Sequence, residues 1–170
     1  CDYPAEVKAV AEVGDTLHPS LERIIALRPQ VVLISSASQL EIFSQQLHGQ
    51  NIAVCVTHPH DLDGVFRTIE QVGEIAGQKQ QAQVLVQRLR ERAKAVEEAV
   101  KGKPPVRVFY QVSGEPLHTI GRDAFLTDLL RRAGGISVTA DVPGAWPRYS
   151  DESALAARPD AIILPTGGSM

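Results

Sequence analysis

The sequence lacks long apolar runs and contains few cysteines and aromatic residues. No apolar run approaches the roughly 20 residues needed to cross a bilayer. Cys1 and Cys55 are its two cysteines, and one Trp, three Tyr and four Phe are its aromatic residues. Cys55 lies in the apolar run NIAVCV and is predicted to be a small buried residue. Cys1 leaves open a lipid-modified N-terminus, although no targeting segment precedes it.

Charge is not concentrated in any one region. The net charge is −3 and the basic residues form no block, which argues against nucleic acid as a partner. With 44% hydrophobic and 22% charged residues, the chain has an ordinary globular composition. Its 170 residues suffice for one large domain or two small ones. Because it stops just after an apolar run, we expect it to be incomplete at both ends.

Specific catalytic signatures are also missing. There is no dinucleotide fingerprint, no phosphate-binding loop and no G-x-S-x-G motif. In SGEPLHTIGRD (113–123), His118 either faces a ligand crevice at a strand end or is an ordinary surface residue. His58 and His60 of THPHD suit zinc or iron, but Pro59 hinders their convergence and no third ligand is identifiable. No metal site is therefore assigned, and these two histidines stay the candidates for one.

Short continuous apolar runs alternate with helical patterns. Such runs are typical of parallel strands buried on both faces. Asp61 is predicted to cap one helix, and Gly134-Gly135 to end another. The alternation predicts an α/β fold with mostly parallel sheets. The predicted strands are 31–35, 51–57, 106–112 and 161–165, and the predicted shorter helices are 39–48, 61–76 and 123–133.

One predicted helix is much longer. Residues 78–101 contain no Pro or Gly, and six of their apolar residues fall on one stripe at steps of three or four. At about 1.5 Å per residue the helix would be roughly 36 Å long, and the prolines of GKPPV end it. We therefore predict an α/β lobe at 1–77, a connecting helix at 78–101 and a second, partial α/β lobe at 102–170. The stripe consists of Ala82, Leu85, Leu89, Ala93, Val96 and Val100.

One sequence pattern occurs twice, 130 positions apart. LERIIALRPQVVLI (21–34) and DESALAARPDAIIL (151–164) each contain a short helix, Arg-Pro and a strand, once in each predicted lobe. Glu22 and Glu152 stand at the beginning of the two helices. A carboxylate there stabilises a helix by about 0.3–1 kcal/mol through the helix dipole. From the residues alone, the two glutamates have two explanations: stabilisation of their helices, or a shared functional role.

The only tryptophan lies in a predicted loop. Trp146 stands between Gly144 and Pro147 in PGAWPRYSDE. A core Trp normally lies within a helix or strand. The position therefore favours a Trp presented on a binding surface.

Taken in order, five segments of the chain resemble the extracytoplasmic solute-binding proteins of ABC importers. The resemblance is to the class for cobalamin, ferric siderophores and haem, and above all to its cobalamin-binding members. It implies two Rossmann-like lobes joined by one long α-helix, with the ligand in the cleft between them. It also implies a periplasmic or extracytoplasmic location, with or without a lipid anchor. The segments are CDYP, LERIIALRPQVVLI, the long helix, VRVFYQV and WPRYSDESALAARPDAIIL.

The resemblance implies roles for four residues. Tyr3 and Trp146 match aromatic ligand-contacting positions of the family. Glu22 and Glu152 match the acidic residues, one on each lobe, with which cobalamin-binding members dock onto arginines of the membrane permease.

Three ligand-facing positions depart from the family. Thr16 stands where the family has Trp, Ser35 occupies another such position, and His118 stands where it has Phe. These changes remove apolar area that would stack on a corrin ring, while His18 and His118 keep haem or another metal-bearing ligand open. We expect a non-enzymatic protein without a resident cofactor that delivers a metal chelate to an ABC permease. Cobalamin is the first candidate ligand, and a ferric siderophore or haem is the alternative. A metal-dependent α/β enzyme is the competing class.

Overall fold

A computed structural model of the chain describes residues 4–15, 18–35 and 44–165. The chain divides into two compact units, Cys1–His58 and Pro59–Met170. Each unit combines helices with parallel strand pairs, which confirms the α/β prediction. The predicted division into two lobes and a connecting helix stays a prediction.

The first unit contains two parallel strands. Their pairing runs without a register shift, from Val31 opposite Ala53 to Ser35 opposite Thr57. Both predicted strands are thus confirmed. Of the predicted helix 39–48, residues 44–48 are helical and residues 39–43 lie outside the described residues. The elements are a 3-10 helix Ala5–Ala9, α1 Leu21–Leu27, β1 Val31–Ser35, α2 Ser44–Gly49 and β2 Ala53–Thr57.

The helices of the first unit pack on one face of this strand pair. Ile24 of α1, Leu47 of α2 and Ile34 of β1 are buried together with Ile52. Side chains alternate along a strand, so Leu33 points to the opposite face, where it is 45% exposed. The expected burial on both faces is therefore not found in the described residues, because their helices cover only one.

The second unit is organised around β3. This strand pairs in parallel with β5 and β6 and antiparallel with β4. The sequence did not predict β4 or β5, which have two and three residues and contain no apolar run. The elements are α3 Leu62–Ile75, α4 Lys79–Val100, β3 Val106–Ser113, β4 His118–Thr119, α5 Phe125–Arg132, β5 Gly135–Ser137, α6 Asp151–Ala156 and β6 Ala161–Ile163.

Two predicted helix ends in this unit are confirmed. The carboxylate of Asp61 accepts a hydrogen bond of 2.6 Å from the N–H of Gly64, which caps α3. Gly134 follows α5 with φ +82°, a left-handed conformation that favours glycine.

The long helix α4 is confirmed within one residue at each end, but its buried stripe differs from the prediction. Val86 is buried, with 3% of its surface exposed, whereas Val96 is 48% exposed. Glu97 replaces Val96 on the packed side, where it forms an ion pair with Arg132 of α5 at 2.9 Å. One position of the stripe is therefore ionic.

Arg132 joins three helices of the second unit. Its guanidinium lies 2.6 Å from Asp63 of α3, 2.9 Å from Glu97 of α4 and 2.9 Å from Asp128 of its own helix. These three carboxylates raise the pKa of Arg132 against the effect of burial, with Asp128 the strongest cause. Asp128 also accepts a hydrogen bond of 3.1 Å from the N–H of Leu62. The network fixes the beginning of α3 against α5.

The duplicated sequence has a duplicated local structure. Ser20 and Ser150 cap α1 and α6, each accepting a hydrogen bond from the N–H three residues later. After each helix an arginine before proline takes a left-handed conformation, with φ 49° at Arg28 and 46° at Arg158. The repeat is therefore one residue longer at its start than the sequence comparison indicated, because the serine cap belongs to it.

Candidate functional site

Trp146 lies in a loop that is hydrogen-bonded along its length to the segment 117–123. Its side chain is 52% exposed although the backbone on both sides of it is fixed. The loop therefore presents an aromatic ring from a rigid support, as the sequence predicted; that this ring contacts a ligand stays a prediction. The hydrogen bonds join the N–H of Thr119 to the carbonyl of Pro147 at 3.1 Å, Gly121 to Ala145 at 3.0 Å and Tyr149 to Leu117 at 3.0 Å.

Glycine lets the two segments touch. A Cβ at Gly121 would overlap the carbonyl oxygen of Gly144 and lie 2.8 Å from that of Val142. Gly144 has φ +90°, and its N–H donates to the carboxylate of Asp123 at 2.9 Å. The glycines of this region thus support the Trp146 loop.

His118 lies in the segment 117–123, at the start of β4, and its Nδ1 has two hydrogen-bond partners. Its Nδ1 lies 3.0 Å from the carbonyl oxygen of Pro116 and 3.1 Å from Oγ of Ser113. Ser113 donates its hydroxyl hydrogen to the same carbonyl at 2.8 Å. The network therefore assigns the proton to Nδ1, because a carbonyl can only accept. In the neutral imidazole, Nε2 then carries the lone pair, and this is the form of histidine that binds metals.

Arg148 stands opposite His118. The two residues form an antiparallel bridge, and Trp146 lies two positions before Arg148 in the same loop. Arg148 is exposed, and no ion pair between described residues involves it. The sequence analysis did not single out this arginine; its position beside the presented Trp was the available signal.

Buried hydroxyl groups hold the segment that carries His118 in place. Thr139 donates to the carbonyl of Ile120 at 2.7 Å and lies 2.9 Å from Oγ of Ser137. Thr119, next to His118, donates to the carbonyl of Tyr110 on β3 at 2.8 Å. Both threonines are completely buried. These bonds tie the segment that carries His118 to β3 and β5.

The other predicted ligand residues lie in the first unit. Ser35 is exposed at the carboxyl end of β1, opposite Thr57 in the strand pairing. Tyr3 and Thr16 lie outside the described residues. His118 and Trp146 are thus brought onto paired segments of one unit, and the ligand-binding roles of all five residues stay predictions.

The two predicted docking glutamates occupy equivalent places. Glu22 lies in the first turn of α1 and Glu152 in the first turn of α6, and both are exposed. A hydrogen bond from its own backbone N–H, assisted by Ser150, lowers the pKa of Glu152, so it is ionised at neutral pH. Their docking role stays a prediction.

The structure assigns no metal to the histidine-rich segment. His58 ends the first unit, whereas His60 belongs to the second, and both are exposed. Across residues 4–15, 18–35 and 44–165, no three or more His, Cys, Asp or Glu side chains gather where they could hold a metal ion. None of the helices in these ranges is both long and apolar enough to cross a bilayer.

The described residues thus combine two α/β units, a pair of equivalent capped helices and a presented tryptophan. The family model described as periplasmic binding protein matches residues 1–169. The chain therefore belongs to the periplasmic binding protein family.

Two relatives and one solved structure show what the chain is similar to. It is 33% identical to the uncharacterized ABC transporter substrate-binding lipoprotein YvrC of Bacillus subtilis over 97% of the chain and 54% of that protein. It is 32% identical to the vitamin B12-binding protein of Salmonella typhimurium over 96% of the chain and 61% of that protein. It shares the fold of the periplasmic vitamin B12 binding protein BtuF of Vibrio cholerae, with a TM-score of 0.85, 21% identity, and 97% of this chain and 65% of that one covered.

These comparisons confirm the predicted class. The chain spans little more than half the length of the two curated relatives. Both relatives are named as binding proteins rather than as enzymes. The ligand does not follow from the family, because one fold accommodates many ligands.

Proposed function

We propose that this chain captures a metal-chelate ligand outside the cytoplasm and delivers it to the permease of an ABC importer. The observation that carries the proposal is the half-exposed Trp146 on a hydrogen-bonded loop beside His118. A flat aromatic ring held in place loses little conformational freedom when a macrocycle stacks on it. Family membership supports the transport role.

Cobalamin is the first candidate ligand. Two features support it: the 32% identity to a vitamin B12-binding protein and the exposed ring of Trp146 as a stacking surface. Because Trp146 is the only tryptophan, its fluorescence reports binding directly. Cyanocobalamin should quench it in a saturable titration with a Kd in the micromolar range or below. The control is Trp146→Phe, whose cyanocobalamin binding is followed by equilibrium dialysis. No binding of cyanocobalamin by the unaltered protein at micromolar concentrations would remove it as the ligand.

Haem or a ferric siderophore is the second candidate, and His118 favours haem. Its protonated Nδ1 leaves the Nε2 lone pair for an axial bond to iron. Ferric haem added to the protein should then give the absorption spectrum of an imidazole-ligated haem. His118→Ala should lose that spectrum, whereas His48→Ala, which changes an exposed histidine of α2, should keep it. An identical spectrum in both variants would remove His118 as a ligand.

Delivery is proposed to use the paired acidic helices. The double variant Glu22→Arg, Glu152→Arg should bind ligand normally but transport it poorly with the reconstituted importer. Opposite charges placed against permease arginines would repel them. The matched control is Glu6→Arg with Glu91→Arg, which alters the net charge equally at exposed sites outside the two helices. Uptake equal to that of the control would contradict the docking role.

An α/β enzyme is the less supported alternative. Its support would be zinc or iron retained through purification in stoichiometric amount. That metal should then be lost when His58 and His60 are both replaced by alanine.

A further inference from the structure

We infer that Arg148 holds an ionised carboxylate of the captured ligand, so that, of the ligand candidates proposed above, this protein takes an acidic metal chelate such as haem rather than the amidated corrin of cobalamin. The inference rests on the proposed function and specifies the chemical class of its ligand. It concerns three residues of the second unit, Trp146, His118 and Arg148, which lie on two paired segments.

The three side chains offer complementary contacts. Trp146 supplies a flat apolar ring that is 52% exposed. The His118 ring is fixed through Nδ1 by Pro116 and Ser113. Arg148, paired with His118 through the backbone bridge, adds a permanent positive charge beside them. In the proposed complex, a ring stacked on Trp146 has its edge beside the guanidinium of Arg148, two positions further along the same loop.

Among the described residues of its unit, Arg148 has no acidic partner. The acids that follow it closely, Asp151 and Glu152 at the beginning of α6, form no ion pair with it. Arg122, an exposed arginine of the segment 117–123, differs from Arg148. Its guanidinium lies 3.6 Å from the carboxylate of Asp123. Arg148 is thus a cation whose charge the described residues leave uncompensated.

Guanidinium geometry selects the anion. Its planar donors match the two oxygens of a carboxylate in a bidentate pair, and such charge-assisted hydrogen bonds are stronger than bonds to a neutral amide. A macrocycle whose side chains are amidated offers Arg148 only neutral oxygens at these positions. A macrocycle with free carboxylates forms the ion pair.

The test uses two rings, each in an acidic and a neutralised form. Ferric haem is compared with its dimethyl ester, and dicyanocobyrinic acid with dicyanocobinamide, by titration of the full-length protein in dilute nonionic detergent. For the ring that binds, the acidic form should bind at least about tenfold more tightly. Arg148→Gln should abolish that preference without weakening the neutralised form, and Arg148→Lys should keep part of it. Arg122→Gln, the matched control, should leave it unchanged.

The outcomes separate this inference from the proposed function. Equal binding of acidic and neutralised forms by the unaltered protein overturns the role of Arg148 and leaves metal-chelate capture intact. A preference that persists in Arg148→Gln has the same consequence. If neither form of either ring binds, both the inference and macrocycle capture are overturned.

Discussion

Replacing Arg132 by glutamine should destabilise the second unit by about 2–3 kcal/mol. Breaking a buried ion pair typically costs about 3–5 kcal/mol, because the remaining partner is left as an uncompensated charge. Arg132 is 21% exposed, but its partners Asp63 and Glu97 are each 41% exposed. Water screens those two carboxylates, so the expected loss falls below that of a fully buried pair.

The matched control is the neighbouring arginine. Arg131 is 70% exposed, and among the described residues its one ion pair is with Asp128, at 2.6 Å. Arg131→Gln should therefore cost less than about 1 kcal/mol. Urea denaturation followed by circular dichroism measures both losses at neutral pH. A loss in Arg132→Gln no larger than in the control would refute the account of this network.

The pH dependence checks the same reasoning. Burial by itself would raise the pKa of Asp128, but hydrogen bonds from Leu62, Arg131 and Arg132 together lower it. A carboxyl group with a lowered pKa in the folded state stabilises the fold above its unfolded pKa of about 3.9. That stabilisation is lost as the pH falls through the folded pKa. The difference in unfolding free energy between the unaltered protein and Arg132→Gln should therefore shrink below about pH 4.

Three further changes test the support of Trp146 and the repeated helix. Gly121→Ala should displace the Trp146 loop and cost about 1–3 kcal/mol, because its Cβ overlaps the carbonyl of Gly144; tryptophan emission and thermal denaturation measure this. Thr139→Val should cost about 1–3 kcal/mol in urea denaturation, since the buried oxygen to which Thr139 donates loses its partner. Ser150→Ala should cost about 1 kcal/mol by removing the cap of α6, and should speed amide exchange in its first turn.

For each of these substitutions, one result would contradict the predicted effect. Gly114→Ala is the comparison for Gly121, because an added Cβ there meets only the flexible end of Gln111 at 3.3 Å. Equal emission spectra for the two alanine variants would argue against the close contact. Thr139→Ser keeps the hydroxyl, so it should lose less stability than the valine variant; equal losses would mean that the hydrogen bonds contribute little. An unchanged rate of amide exchange in the first turn of α6 in Ser150→Ala would contradict the capping role of Ser150.

Sequence patterns predicted the elements that depend on apolar periodicity. The strand predicted at 106–112 is Val106–Ser113, and the helix predicted at 78–101 is Lys79–Val100. The strand His118–Thr119 was missed because its pairing with β3, rather than its own residues, makes it a strand. Within α4, Glu97 was missed as a packed residue because its partner Arg132 lies 35 positions further along the chain.

The candidate site was predictable in composition but not in geometry. The flanking glycine and proline of Trp146 indicated an exposed ring, and the ring is exposed. The tautomer of His118 depends on how the loop returns the carbonyl of Pro116 to its ring, and no residue pattern indicates that contact. The position of Arg148 opposite His118 likewise depends on the pairing of two segments about 30 residues apart.

The most direct measurement is a calorimetric titration of the full-length protein with three metal chelates. Cyanocobalamin, ferric haem and a ferric hydroxamate siderophore are compared, first with the unaltered protein and then with Trp146→Ala. The account predicts that one of them binds with a Kd in the micromolar range or below, and that the alanine variant binds it at least about tenfold more weakly. No binding of any of the three up to about 100 μM, or equal affinity in the two proteins, would contradict it.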